Sequence, residues 1–141
     1  MKKNNQEIGK TFEEEWLDHL ASKGMWAHFM HPAPDGSQPF DIMAIDDSYG
    51  EAIVYAYDCK TLTGSRFPIK RAEDNQILAF QALNRKKVYN TYFVVKTKTS
   101  IHLIPSQEVE HYLDSGEKSI PLEDRYVYMY LKQDNDQGSI A

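Results

Sequence analysis

The sequence contains a single cysteine, Cys59, in 141 residues. One thiol excludes an internal disulfide and a cysteine-rich zinc centre, and it suits a reducing compartment. Long apolar runs are also missing. The longest are strand-sized and fall well short of the roughly 20 residues that a membrane helix needs. The Lys2-Lys3-Asn4-Asn5 start has no apolar segment behind it to form a signal peptide, so a cytoplasmic protein without membrane attachment is expected. No internal repeat or linker interrupts the chain. Its length suits one hydrophobic core, which predicts a single domain over 1–132 with a flexible tail over 133–141.

An excess of positive charge is lacking too: the net charge is −5. That speaks against nucleic acid only if the charge is spread evenly. Between Cys59 and Lys98 there are nine cations against two acids, whereas the rest of the chain holds seven cations against nineteen acids. This division is either clustering on solvated faces or a basic stripe for a polyanion beside an acidic body.

What is present is an alternation of helix and strand patterns. Ile8, Phe12, Trp16 and Leu20 recur every four residues and predict an amphipathic helix that stops at Gly24. Within it Glu13 precedes Trp16, Leu17 and Leu20 by three, four and seven residues, which puts it at the border of the buried face. Glu14 and Glu15 look outward. A short strand is predicted over Met25–Met30 and a loop over His31–Pro39. Two strands, Phe40–Ile45 and Glu51–Lys60, then form an antiparallel hairpin about the Asp46–Gly50 turn. Thr61–Pro68 reads as a polar loop and Glu73–Lys86 as a second helix. Strands follow at Tyr89–Val95 and Ile101–Ile104, then a helix capped by Ser106 and running to Asp114, then a last strand at Tyr126–Leu131. The order predicts an α/β fold: one mixed sheet flanked by helices around an α-β-β-β-α-β core.

The chemistry concentrates in the hairpin. Asp58 and Lys60 are two apart on a strand and leave the same face, while Cys59 leaves the other. Asp41 starts the partner strand, so the turn brings it beside Asp58. Two carboxylates and an amine then converge, and hard oxygen ligands suit Mg²⁺. Such a set fits phosphodiester hydrolysis, in which the metal polarises water and the lysine orients it or offsets developing charge. An Asp-x-Lys run by itself also fits an exposed ion pair. Lys70 and Arg71 adjoin the predicted start of the second helix, where its dipole disfavours cations, so either a phosphate sits there or the boundary lies elsewhere. Gln76 precedes Ala79, Phe80 and Leu83 by three, four and seven residues and faces inward, near the metal site or as an ordinary buried glutamine. His28 and His31 read as surface or packing residues. Tyr126, Tyr128 and Tyr130 alternate on one strand face and would pack, or stack on bases.

Taken in order, these residues resemble the RecU-type Holliday junction resolvases, members of the PD-(D/E)xK nuclease superfamily. The likeness begins at Gly9-Lys10-Thr11-Phe12-Glu13 and runs through Asp41 and Asp58-Cys59-Lys60-Thr61. It continues in Phe67-Pro68-Ile69-Lys70 and Asn75-Gln76-Ile77, and closes in Lys118-Ser119-Ile120-Pro121 and Tyr130-Leu131-Lys132. It implies a restriction-endonuclease-like fold, a homodimer, and paired Mg²⁺-dependent nicks in a four-way DNA junction, with Mn²⁺ as a substitute metal. Glu13, Asp41 and Asp58 would bind metal, Lys60 would assist the attacking water, and Gln76 would join this catalytic set. DNA contacts are expected from Lys10, Thr61, Arg66, Lys70, Arg71, Lys86 and Lys87. Asp58 stands where the family has glutamate, and the Asp46–Gly50 turn replaces a junction-inserting stalk. Two alternatives remain: a non-catalytic DNA-binding module of the same fold, and a duplex-DNA nuclease of phage or host defence.

Overall fold

A computed structural model describes residues 5–133, with side chains from residue 12 onward. Helix α1 (Asn5–Ser22) leads into β1 (Trp26–Phe29), β2 (Ile42–Asp46) and β3 (Ile53–Thr61). A short β4 (Arg66–Pro68) and a 3₁₀ turn (Ile69–Arg71) precede α2 (Asp74–Arg85). Then come β5 (Asn90–Lys96), β6 (Ser100–Pro105), α3 (Ser106–Asp114), β7 (Ser119–Pro121), a second 3₁₀ turn (Asp124–Tyr126) and β8 (Val127–Tyr130).

Six strands form one mixed sheet in the order β1-β2-β3-β5-β6-β8. Only β3 and β5 run parallel; every other neighbouring pair is antiparallel. The parallel step needs a crossover, and the segment from β4 through α2 supplies it. Alternation along the strands separates two cores. On one face Phe12, Trp16 and Leu20 of α1 pack on Ile42, Ala44, Tyr57 and Val94. On the other, Ala56, Phe93 and Val95 meet Ile77 and Phe80 of α2 and Val109 of α3. Among the described residues no helix is long and apolar enough to cross a membrane.

The α1 stop is a glycine-terminated hydrogen-bond pair. Gly24 takes φ +84°, its N–H donates to Ala21 O at 2.9 Å, and Met25 N–H reaches back to Leu20 O at 3.2 Å. Helix α2 ends by the same device, but with Lys87 in the left-handed position at φ +70°.

Several sequence expectations are corrected. The segment read as a polar loop contains β4, which pairs with β7 as a separate two-stranded ribbon; Phe67 and Ile120, opposite one another, are both fully buried. Helix α2 begins at Asp74 with Glu73 as its cap residue, so Lys70 and Arg71 belong to the preceding 3₁₀ turn and acids occupy the positive end of the dipole. Ser106 is the first residue of α3, not its cap. Its hydroxyl is buried against that of Thr91 at 2.5 Å, a partner available only once β5 and β6 have paired. Tyr126 and Tyr128 do not share a face: Tyr126 closes the second 3₁₀ turn, outside β8, and the register shifts between Ile101 and His102 where β6 meets β8. Tyr126 enters the α2–α3 core, while Tyr128 packs edge-on against Trp16 and hydrogen-bonds His19 at 2.5 Å. Of the expected tail, Gln133 donates to Leu131 O at 3.0 Å, and the remainder lies outside the described residues.

Candidate metal and phosphate site

The last sheet pair between β2 and β3 is Ile42 with Tyr57, whereas β3 continues to Thr61 along β5. The stretch from Asp58 to Thr61 is therefore flanked by a strand on one side and by the entrance to β2 on the other. Asp41 stands at that entrance. Ile42 and Ala44 face α1, so strand alternation turns Asp41 to the opposite face, which Asp58 and Lys60 share because Tyr57 and Cys59 also face α1.

Hydrogen bonds fix this arrangement. Asp41 N–H donates to Tyr57 O at 3.0 Å, and Cys59 N–H donates to Asp41 Oδ2 at 2.7 Å. The Asp41 and Asp58 carboxyls are neighbours, and each bears on the other's titration. Lys60 Nζ lies 3.1 Å from Asp58 Oδ2, an ion-pair distance, yet that oxygen is buried without a well-aligned hydrogen bond. Asp58 is 1% exposed. Desolvation, followed by the charge of Asp41, raises its pKa against the opposing pull of Lys60. Desolvation likewise raises Asp41, opposed by the Cys59 N–H, by Asp58 and by Lys60. Both shifts favour the protonated form, which a bound cation would oppose.

Glu13 occupies the border position that its spacing predicts: it is half-buried, while Glu14 and Glu15 are exposed. Its charge reaches the Cys59 thiol, which desolvation, Asp41, Asp58 and Glu13 all push up. Of the three expected carboxylates, Asp41 and Asp58 are brought together. Among the described residues no group of three or more His, Cys, Asp or Glu side chains is arranged to hold a metal ion. Two neighbouring carboxylates, one with an unsatisfied buried oxygen, still form a hard-oxygen donor set that fits a divalent cation.

Gln76 is buried, and its Oε1 accepts from Glu73 N–H at 3.0 Å in a capping box. The spacing that turned it inward also made it the partner of the helix cap. Glu73 itself was not singled out in the sequence, although its charge bears on Asp41. Its signal was the Glu-x-x-Gln spacing that opens α2.

The expected DNA contacts divide by position. Thr61 ends β3 beside the carboxylates, and Arg71 Nη1 donates to its carbonyl at 3.1 Å. Lys70 is exposed next to Arg71. Arg66 Nε donates to Ser119 Oγ at 2.8 Å across the β4–β7 ribbon. Lys86 and Lys87 lie at the far end of α2, where the chain enters the start of β5 beside Tyr55. The Lys10 side chain lies outside the described residues. His28 is exposed and packs at a tilt against Trp26 with ring centroids 4.3 Å apart. A cavity lined by Gln107, Glu108, His111 and Arg125 opens beside α3 and shares no residue with the carboxylate pair.

No family profile and no curated protein matches the chain. Solved structures do. One is Hjc of Archaeoglobus fulgidus, a Holliday junction resolvase from an archaeal hyperthermophile. It aligns with a TM-score of 0.58 and 20% identity over 88% of this chain and 95% of that one. A likeness at this identity establishes the fold: a mixed sheet flanked by helices of the restriction-endonuclease-like kind.

Proposed function

We propose that the chain is a Mg²⁺-dependent structure-selective DNA endonuclease that resolves four-way junctions by paired nicks. The single observation that carries this reading is the juxtaposition of Asp41 and Asp58, with Lys60 3.1 Å from Asp58, on the face and strand end where β3 outruns β2. The fold shared with an archaeal Holliday junction resolvase supports the choice of substrate.

In this reading Asp41 and Asp58 would hold the cation, with Mn²⁺ as a substitute, and Glu13, whose charge acts on Cys59 between Asp58 and Lys60, would add negative charge. When bound, the cation supplies Lewis acidity and lowers the pKa of a coordinated water. The residues do the rest. Cys59 N–H fixes one Asp41 oxygen, and the other would be available to the ion. Lys60 has a compact charge on a flexible stem, already drawn to the carboxylates, so it can orient the attacking water and offset charge that develops on the phosphoryl oxygens. Lys70 and Arg71, with Thr61, stand where a DNA backbone would leave the site. Paired nicks require two centres, so the active species is a homodimer.

Two variants test the chemistry. Asp58→Asn and Lys60→Ala lose Mg²⁺-dependent cleavage by on the order of a hundredfold or more, with folding and DNA binding retained. Full activity in either sinks the assignment. Substrate choice is tested by offering wild type a synthetic four-way junction, a flap and linear duplex side by side in Mg²⁺. Preferential junction nicking supports the proposal. Equal cleavage of plain duplex points to a defence nuclease, and DNA binding without any cleavage points to a non-catalytic module.

A further inference from the structure

The loop that delivers Asp41 is tied to the first turn of α2. Asn75 Nδ2 donates to the Gln38 carbonyl at 2.6 Å, three residues before Asp41. Gln38 Nε2 in turn donates to Met30 O at 2.9 Å, and Met30 N–H donates to Asp41 O at 2.8 Å. The chain of bonds thus starts on a helix side chain, passes through Gln38 and Met30, and ends on the Asp41 backbone. Asp41 then reaches β3 through its own N–H and through Cys59 N–H. On the other side, Arg71 Nη1 holds Thr61 O, one residue beyond Lys60. Phe40, stacked on Phe80 of α2 at 5.5 Å between centroids, adds an apolar contact beside the same hinge.

We infer that Asn75 is a positioning residue: its hydrogen bond to Gln38 locks the Asp41 loop onto α2 and so sets where Asp41 stands relative to Asp58 and Lys60. The separation of the two carboxylates then depends on a helix that carries neither of them. Asn75 suits this task. A short amide at the second position of a helix can donate outward while the backbone keeps its helical bonds, and a lost bond here frees the twelve-residue loop between β1 and β2, which has no strand of its own. The metal consequence rests on the nuclease reading; the positioning itself does not.

The test is amide hydrogen exchange on the metal-free full-length chain, read at Met30 and Cys59, with Mg²⁺ calorimetry on the same samples. Asn75→Asp removes the donor at almost unchanged size, and Asn75→Gln restores an amide. Asn84→Ala is the control, because Asn84 makes a comparable bond to Val88 O at 2.8 Å at the other end of the same helix. Asn75→Asp speeds exchange at Met30 and Cys59 about tenfold, the scale of one ordinary hydrogen bond, while Val94 in the central sheet exchanges as in wild type. It also weakens Mg²⁺ binding about tenfold. Asn75→Gln recovers part of both effects, and Asn84→Ala changes neither. If Asn75→Asp does not fold, Gln38→Glu breaks the next link and gives the same pattern. Unchanged exchange at Met30 and Cys59, or acceleration equal to that in Asn84→Ala, overturns the inference. Accelerated exchange in a protein that binds no Mg²⁺ even as wild type upholds the positioning role and removes the nuclease reading instead.

Discussion

At the scale of the residue, Asp58 makes a pH-dependent contribution whose sign is fixed. Its carboxyl is raised chiefly by desolvation and then by Asp41, so the folded, metal-free chain holds its proton more tightly than the unfolded chain does. A raised acid contributes stability that is complete below the ordinary carboxylate range, about pH 4, and is lost as pH rises through the folded value. On the proposed reading, cation binding would displace the proton and restore what was lost. The melting temperature gained on adding Mg²⁺ is therefore greater at about pH 8 than at about pH 5, and the difference disappears in Asp58→Asn. A Mg²⁺ effect that is equal at both pH values in wild type contradicts the coupling. His102 acts in the opposite sense: burial lowers its pKa, so its share of stability is lost as pH falls. That is why the comparison with Asp58→Asn is needed. Asp41, Asp58 and Lys60 were legible in the sequence because a two-residue period and a hairpin suffice to bring them to one face. The Asn75 bond to Gln38 was not legible, since it joins residues 37 apart through a loop whose path no local pattern specifies.

At the scale of the element, α2 ends against its own sequence. Lys87 holds the left-handed position that glycine fills at the ends of α1 and α3, and a side chain there is strained. Lys87→Gly should raise stability by about 0.5–1 kcal/mol, the relief of strain less the added freedom of the unfolded chain. Thermal denaturation reads this, and a lower melting temperature would show that the Lys87 side chain makes compensating contacts. The other elements follow patterns that the sequence displays openly. Helix α1 has its four-residue stripe, β2 and β3 alternate, and β5 is rich in β-branched and aromatic residues. The β4–β7 ribbon escaped because each strand has only three residues and its partner lies more than 50 positions away. Too few residues were present for a period to show. The shift of β8 escaped for a related reason: a bulge changes which face a side chain takes without changing the composition.

At the scale of the molecule, charge placement decides how a protein of net charge −5 meets a polyanion. Because β3 and β5 are parallel, Lys60 and Lys96 share one end of the sheet, with Arg71 tied to the same end, while Arg85, Lys86 and Lys87 stand at the start of β5. Lys96 is partly neutralised by Glu15 at 2.7 Å. On the proposed reading a few cations are left for phosphate contacts, and raising salt from about 50 to about 200 mM should weaken DNA binding on the order of a hundredfold. A salt-insensitive affinity would mean that this end of the sheet does not carry the DNA. The mixed sheet with helices on both sides was legible from element order alone. What the order could not convey was how far distant carboxylates converge; the structure brings Asp41 and Asp58 together, and the charge of Glu13 acts on Cys59 beside them.

The account stands or falls on whether Asp41 and Asp58 together bind a divalent ion. Calorimetric titration of Mg²⁺, repeated with Mn²⁺, into the metal-free wild type and into Asp41→Ala measures this without reference to any DNA substrate. The account predicts saturable binding by wild type at about pH 8, released protons in proportion to the ion bound, and loss of that binding in Asp41→Ala. Equal heats from wild type and variant, or no binding by a folded wild type, would contradict it.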